Sequence, residues 1–286
     1  MDQSDTLRSL AQTRANNAPP TRVITVSSGK GGVGKSNFVL NVGLSLARLK
    51  KRVLLLDADM GLANIDILVG LTTRFNLSHV LTGEKTLEEV IVKAPGGIDI
   101  LPAASGVEWM TNLTQEQKLD FLQKMDALNG VYDILLIDTG AGISSNVVYF
   151  NLAAQSKIVL VTPEPTSLTD AYALIKVLHR SHQQKNFEIV INQVQNEQEG
   201  IDVYRNLTSV ADRFLDVRLG FLGYVRKDER LCRAVLRQTP VVEAFPDADV
   251  SVDYQAVARK ITQSKPDLMA SELGLFWRDL FQPAAH

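Results

Sequence analysis

Cysteine is almost absent from this chain of 286 residues, which contains one, Cys232. One thiol forms neither an internal disulfide nor a paired-cysteine metal site, so a reducing compartment, the cytoplasm, is expected. No apolar run approaches the roughly 18 residues of a spanning helix, and the first residues lack the basic and then apolar order of a signal peptide. Any membrane contact is therefore expected to be peripheral, on the inner face of the cell membrane or at the cell pole.

An excess of positive charge is also missing. Thirty Lys and Arg residues face 32 Asp and Glu residues, for a formal net charge of -2. This balance gives no overall attraction to nucleic acid, and we do not expect nucleic-acid binding. The 45% hydrophobic and 22% charged content is that of an ordinary globular protein, which predicts one domain with small appendages.

Short aliphatic runs recur along the chain and predict strands at residues 23–27, 53–57, 98–101, 134–138, 158–162, 189–192 and 219–225. Longer stretches with helical spacing separate them, among them residues 35–49, 116–128, 168–182 and 252–261. Apolar runs without alternation are typical of strands buried on both faces. The pattern predicts an α/β fold, with a mainly parallel sheet of about seven or eight strands, flanking helices, and ligands at the carboxyl ends of the strands.

A phosphate-binding loop is predicted where the first strand meets the first helix, because residues 29–36 read GKGGVGKS and satisfy G-x-x-x-x-G-K-[ST]. In such a loop Lys35 reaches the β and γ oxygens of ATP, and the Ser36 hydroxyl ligates Mg²⁺. A glycine-rich turn that only joins strand to helix needs neither side chain. The predicted ATP-binding residues here are Gly29, Lys30, Gly31, Gly32, Val33, Gly34, Lys35, Ser36 and Asn37.

The second lysine of this loop, Lys30, makes it resemble the deviant Walker A motif, KGGVGK[ST], of the MinD/ParA/nitrogenase-iron-protein group, whose fold is the SIMIBI type of P-loop NTPase. The resemblance implies that Lys30 and Lys35 are catalytic, and that Lys30 crosses a dimer interface to the partner's nucleotide. ATP binding and homodimerisation would then be one event, reversed by hydrolysis. A solvated loop lysine is the alternative. A nitrogenase-like electron donor is excluded, because one cysteine cannot supply the paired ligands of a bridging cluster.

Acidic residues follow two of the predicted strands. Residues 57–66, DADMGLANID, resemble switch I of MinD relatives, which implies that Asp59 orients the attacking water and that Asp57 helps to hold the magnesium hydration shell. Residues 138–142, DTGAG, look like Walker B with switch II, which implies that Asp138 binds Mg²⁺ through water. Carboxylates at strand ends also occur as helix caps, and for Asp66 this alternative stays open.

The adenine base is assigned to the strand that ends at Asn192, which matches the base-contacting asparagine of MinD relatives. Gln195 stands where the N-K-x-D motif of GTPases has its carboxylate, which favours ATP over GTP. An ordinary turn asparagine is the alternative for Asn192. Relatives often have proline where this chain has Arg226, so the far side of the base pocket is not predicted.

Three further segments resemble the FlhG (FleN) regulators of flagellar number and placement, a group of MinD-like ATPases. Residues 2–8, DQSDTLR, are similar to an amino-terminal signature that in this family activates the signal-recognition-type GTPase FlhF; Gln3 would carry that function, and a frayed polar terminus is the alternative. Residues 164–176 match E-P-T-S-[IL]-T-D-A-Y, and residues 243–246 are EAFP. The implied partner-activating residues are Asp2, Gln3, Leu7 and Arg8.

Four segments are predicted: a partner-activating helix at 1–15, a linker at 16–21, the ATPase domain at 22–264 and an amphipathic helix at 265–286. One face of that last helix is apolar and is predicted to face the membrane. The polar face offers Arg278 against Glu272 and Asp279, so binding would be weak. Docking on its own domain or on a partner subunit is the alternative. The membrane-facing residues would be Met269, Leu273, Phe276, Trp277, Leu280 and Phe281.

The resemblance implies a slow, partner-regulated ATPase that requires ATP and Mg²⁺, dimerises with ATP, and regulates flagellar number or placement. Its partners would be an FlhF-like GTPase, and flagellar C-ring or switch proteins or a flagellar transcription activator. A MinD-type division-site ATPase and a ParA-type DNA-partition ATPase are alternatives within the class. A nonhydrolysing, nucleotide-bound scaffold is the alternative from another class.

Overall fold

The computed structural model describes residues 20–58, 65–102 and 114–264, and within them eight strands form one sheet. The strand order is β3-β4-β2-β5-β1-β6-β7-β8. Every neighbouring pair is parallel except β3 and β4. The strands are β1 (Arg22–Ser28), β2 (Val53–Ala58), β3 (Val92–Ala94), β4 (Ile98–Pro102), β5 (Ile134–Ala141), β6 (Ser156–Val161), β7 (Asn186–Val194) and β8 (Arg218–Arg226).

Helices follow most of these strands and cover both faces of the sheet. The helices among the described residues are α1 (Lys35–Arg48), α2 (Ile65–Leu68), α3 (Leu77–Leu81), α4 (Leu87–Val90), α5 (Gln115–Asp126), α6 (Ser145–Ala153), α7 (Pro165–His182), α8 (Glu197–Phe214), α9 (Glu229–Leu236), α10 (Val241–Ala244) and α11 (Asp249–Gln263). A short 3-10 turn, Pro95–Gly97, joins β3 to β4.

The predicted α/β fold is confirmed, and each of the seven predicted strands and four predicted helices is present. The eighth strand, β3, is three residues long and pairs antiparallel at the edge of the sheet. It was not among the seven predicted strands because three residues that include Lys93 make no aliphatic run. The predicted segments at 1–15 and 265–286 lie outside the described residues.

The core lies on both faces of the central strands. On one face, Ile24 of β1 and Leu136 of β5 pack with α1 and α11 in one buried apolar cluster. On the other face, Val23 and Leu135 belong to a cluster shared with α5 and α6, and a third cluster joins β6 and β7 to α7 and α8. Burial on both faces is the physical reason for aliphatic runs without alternation.

The amino edge of the sheet holds the end of α11 in place. Arg22, the first residue of β1, donates through its Nη1 atom to the carbonyl oxygens of Ile261 at 2.7 Å and of Ser264 at 3.0 Å. Both ends of the described domain, near residue 20 and at Ser264, therefore lie at the edge opposite the phosphate-loop end of β1. Within the described ranges, no helix has the length and apolar content needed to cross a membrane.

Candidate functional site

The strand order brings the predicted functional residues together at the carboxyl edge of the sheet. In the parallel pairing of β2 with β5, Asp57 lies directly beside Asp138. Asp138 also pairs in register with Val26 of β1, the strand that leads into the phosphate loop. Two carboxylates and a glycine-rich loop thus meet at three adjacent strand ends, where ligands of parallel α/β sheets bind.

The loop between β1 and α1 curls around a cleft of about 380 Å³. Gly32 and Gly34 have left-handed backbone conformations, with φ of 78° and 88°, which glycine adopts without strain. The positive end of α1, a 14-residue helix, faces the same space. The cleft is lined by Ser28, Lys30, Gly31, Gly32, Val33, Gly34, Lys35, Ser36, Asn37, Ile67, Leu68 and Ala141.

A buried ion pair connects the loop to β5. The Lys35 Nζ atom lies 3.1 Å from the Asp138 Oδ1 atom, and the two side chains are 7% and 0% exposed. Because both side chains are buried, the two opposite charges interact more strongly than they would in water. The pair holds the Lys35 ammonium at the wall of the cleft.

Gly29, the first residue of the loop, packs against the backbone of α7. A Cβ atom at this position would lie 2.1 Å from the Asp170 carbonyl carbon, a distance that real contacts do not allow. Residues 164–176, which lead into and form much of α7, are the stretch that matches E-P-T-S-[IL]-T-D-A-Y. That stretch therefore supports the phosphate loop, a relation that loop glycines alone do not reveal.

We predict that Gly29→Ala destabilises the protein by about 3 kcal/mol, because the loop or α7 must shift to accept the methyl group. Gly31→Ala is the matched control: no atom lies within 4 Å of its Cβ position and its φ is not left-handed. It should leave stability unchanged or raise it by up to about 1 kcal/mol through the unfolded state. Urea unfolding without nucleotide measures both, and equal midpoints for the two variants would contradict the close approach of α7.

The Lys30 side chain reaches back to the same stretch. Its Nζ atom donates to Glu164 Oε2 at 2.6 Å and to Thr166 Oγ1 at 3.1 Å. Both charged side chains are partly open to solvent, at 40% and 60% exposure. Lys30 thus lies at the mouth of the cleft, held by a contact that solvent weakens. Sequence reasoning did not assign functions to Glu164 and Thr166; their place in the matched stretch was the signal.

Of the three switch I carboxylates, Asp57 and Asp66 lie in the described part. The Asp57 Oδ2 atom accepts from the Ile65 backbone N–H at 3.1 Å, so Asp57 holds the start of α2 beside the cleft. Asp66, the second residue of α2, accepts from the Ile67 N–H at 2.8 Å and from the Thr73 hydroxyl at 3.1 Å. Asp59 lies outside the described residues, and its catalytic function stays a prediction.

A chain of buried polar groups supports β5 below the site. The Ser27 and Thr139 hydroxyls lie 2.9 Å apart, and Asn151 of α6 donates to Ser27 Oγ at 2.7 Å. Ser27, Thr139 and Asn151 are fully buried. The Gly142 N–H also donates to the Ser28 carbonyl at 2.9 Å, which ties the segment after Asp138 to the phosphate loop. Fully satisfied networks of this kind fix one arrangement of neighbouring strands.

The predicted base pocket has an unexpected geometry. Asn192, buried at the end of β7, donates through Nδ2 to the Val33 carbonyl oxygen at 2.7 Å. Arg226, where relatives have proline, donates from Nε and Nη2 to the Asp253 carboxylate, each at 2.8 Å. These hydrogen bonds raise the pKa of Arg226. Its guanidinium is therefore held against α11.

The residues present fit a magnesium–nucleotide complex. The loop provides backbone N–H groups, a helix end and a buried ammonium for phosphate, and the paired β2 and β5 ends provide oxygen ligands. Ser36, Asp57 and Asp138 would hold the metal or its water shell. A bound Mg²⁺ ion would neutralise charge on the phosphate oxygens. Of the predicted site residues, those between 29 and 37 lie together with Asp57 and Asp138 at the carboxyl edge of the sheet, and Asn192 contacts the loop at Val33.

The sequence and the fold of this chain are similar to those of known proteins. The family model AAA_31, an AAA domain, matches residues 21–191. The chain is 46% identical over 242 residues to the antiactivator FleN of Pseudomonas aeruginosa, covering 85% of this chain and 86% of that protein. It is 34% identical to the flagellum site-determining protein YlxH of Helicobacter pylori, covering 85% and 82%. Among solved structures it resembles the MinC:MinD cell division complex of Aquifex aeolicus, with a TM-score of 0.68, 29% identity, and 87% and 98% covered.

Proposed function

This chain belongs to the FleN/FlhG group of MinD/ParA-type P-loop ATPases, and we propose that within it the protein is an ATP-dependent dimerising switch that regulates flagellar number or placement. The observation that carries the proposal is the position of Lys30 at the open mouth of the phosphate cleft. Lys35, which we expect to bind the phosphates of its own chain's nucleotide, lies instead in the wall of the cleft beside Asp138.

A second copy of the chain placed over the cleft would also cover exposed apolar side chains. Ile67, which lines the cleft, and Ile143, which follows the Asp138–Gly142 segment, are 55% and 52% exposed. A dimer that closes over the cleft would bury them and exclude water from the phosphates, as slow and controlled hydrolysis requires.

In the proposed hydrolysis, different side chains bind the phosphates, hold the metal and orient the attacking water. Lys35 would leave its contact with Asp138 to bind the β and γ phosphates, and Ser36, Asp57 and Asp138 would hold Mg²⁺ or its water shell. Asp59 orients the attacking water. Lys30 of each subunit supplies positive charge to the partner's γ-phosphate, where negative charge develops. Loss of that phosphate removes the contact that both subunits share, so hydrolysis would open the dimer.

The partners follow from the family and stay proposals. The name of the Pseudomonas aeruginosa relative describes it as an antiactivator, so a flagellar transcription activator is one partner that we propose here. An FlhF-like GTPase, bound through Asp2, Gln3, Leu7 and Arg8, and flagellar C-ring or switch proteins are the others. Weak membrane binding by residues 265–286 also stays a prediction, since both terminal segments lie outside the described residues.

The test is the solution mass of the Asp59→Ala protein, measured by light scattering without nucleotide, with ADP, and with ATP and Mg²⁺. Loss of the water-orienting carboxylate should preserve the ATP state, so we expect a monomer in the first two conditions and a dimer in the third. Wild-type protein is the control and should return to monomer as ATP is consumed. An unchanged mass in all three conditions would reject the switch and favour a nonhydrolysing scaffold.

A further inference from the structure

Asn192 makes a contact that its assignment to the base does not explain. Its side chain is 3% exposed, and the amide nitrogen donates to the Val33 carbonyl oxygen, 159 residues away in the chain, at 2.7 Å. The end of β7 is shaped to bring it there. The register with β8 shifts between Asn192 and Val194, and Gln193 takes a left-handed conformation with a φ of 62°. A non-glycine residue in that region costs conformational energy, which the surrounding structure must offset.

The phosphate loop is shaped to receive this amide. A Cβ atom at Gly34 would lie 2.7 Å from Asn192 Nδ2, so a side chain at position 34 would displace the amide. The left-handed φ of Gly34 also turns the loop at this point. The glycine therefore allows both the turn and the close approach of Asn192.

The contact fixes the direction of one peptide group in the loop. In a planar trans peptide, the carbonyl of Val33 and the N–H of Gly34 point in opposite directions. Drawing the Val33 carbonyl towards Asn192 turns the Gly34 N–H to the other side of the loop, and Gly34 lines the cleft. An N–H group held in this way binds a phosphate oxygen with no further ordering cost.

We infer that Asn192 is a positioning residue for the phosphate loop, which acts on the phosphates of any bound nucleotide whatever its base. The inference rests on the proposed function, because it takes the cleft to be a nucleotide site. It differs from the base assignment in its consequence. A base contact discriminates adenine from guanine, whereas a loop contact strengthens binding of every ligand with a β-phosphate.

The experiment compares ADP, GDP and inorganic pyrophosphate, each with Mg²⁺, as competitors of a fluorescent ADP analogue at equilibrium. These ligands have no γ-phosphate, so the proposed dimerisation does not enter the measurement. Asn192→Ala leaves the Val33 carbonyl without its donor, and we expect all three affinities to fall by about tenfold, with the ratio of ADP to GDP affinity unchanged. Asn192→Asp, which places an oxygen against the carbonyl, should weaken all three further.

Asn186→Asp is the matched control, since it makes the same substitution at the exposed amino end of β7 and should leave all affinities at the wild-type value. Thermal unfolding checks that each variant is folded, and Asn192→Ser replaces Asn192→Asp if that variant is not. If Asn192→Ala binds pyrophosphate with wild-type affinity, the inference is wrong. This holds even if the affinity for ADP falls, because that result would indicate a contact with the base. A wild-type protein that binds none of the three ligands would instead reject the proposed function, and this inference with it.

Discussion

Replacing Lys35 by methionine should both destabilise the protein and abolish ATP hydrolysis. The substitution keeps most of the side-chain volume but removes the ammonium 3.1 Å from Asp138, a carboxylate with no exposure to solvent. Removing one member of a buried ion pair costs about 3–5 kcal/mol, so the free energy of unfolding should fall by that amount even without nucleotide. Hydrolysis should fall by at least about 100-fold, because the same ammonium stabilises charge on the transferring phosphate.

The double variant separates the two effects. Adding Asp138→Asn to Lys35→Met removes the buried negative charge, so most of the lost stability should return, whereas hydrolysis should stay absent. Urea unfolding and a phosphate-release assay measure the two quantities on the same preparations. Destabilisation that persists in the double variant would mean that the loss comes from packing and not from charge.

A second ion pair provides a control for burial. Arg52 and Asp133 are in contact at 2.8 Å, but their side chains are 50% and 24% exposed. Exposed pairs contribute about 0–1 kcal/mol, since water solvates the separated charges well. Arg52→Met should therefore change stability far less than Lys35→Met. A similar loss of unfolding free energy in both variants would contradict the view that burial makes the Lys35–Asp138 pair the more stabilising of the two.

Local patterns in the sequence predicted the elements and the phosphate loop. Residues 29–36 form the loop because motif, preceding strand and following helix are contiguous in the chain. Aliphatic runs located seven strands because burial on both faces leaves a local signature. The edge strand β3 leaves no such signature, since three residues in a half-buried position need no apolar run.

Contacts between distant segments could not be predicted in the same way. The pairs Lys30–Glu164, Gly29–Asp170 and Asn192–Val33 depend on which strands are neighbours. Strand order and register are set by the packing of helices on both faces, which no short stretch of sequence encodes. The family resemblance singled out residues 164–176 but did not show that they contact the phosphate loop. It assigned Asn192 to the adenine base and did not predict the hydrogen bond from Asn192 to the Val33 carbonyl.

The proposed dimer depends most on Lys30, and Lys30→Ala should abolish it. The contact of Lys30 with Glu164 and Thr166 is open to solvent, so releasing it costs little, about 1 kcal/mol or less. An ammonium that moves from this contact to a partner's γ-phosphate, in a space closed to water, gains far more. In the Asp59→Ala background, Lys30→Ala should therefore stay monomeric with ATP and Mg²⁺ in light scattering. With Asp59 intact, hydrolysis should fall by at least about 100-fold.

Binding of ADP separates this function of Lys30 from a general loss of the site. Because Lys30 lies at the mouth of the cleft and Lys35 in its wall, Lys30→Ala should bind ADP nearly as well as wild-type protein, whereas Lys35→Met should not. Lys185→Ala is the control for the loss of a surface ion pair. Lys185 directly precedes β7 and contacts Asp216, and both side chains are exposed. This variant should dimerise normally. A Lys30→Ala protein that still dimerises with ATP would show that Lys30 does not couple nucleotide binding to dimerisation. Other residues at the mouth of the cleft would then provide the coupling, and Ile67 would be the first to replace.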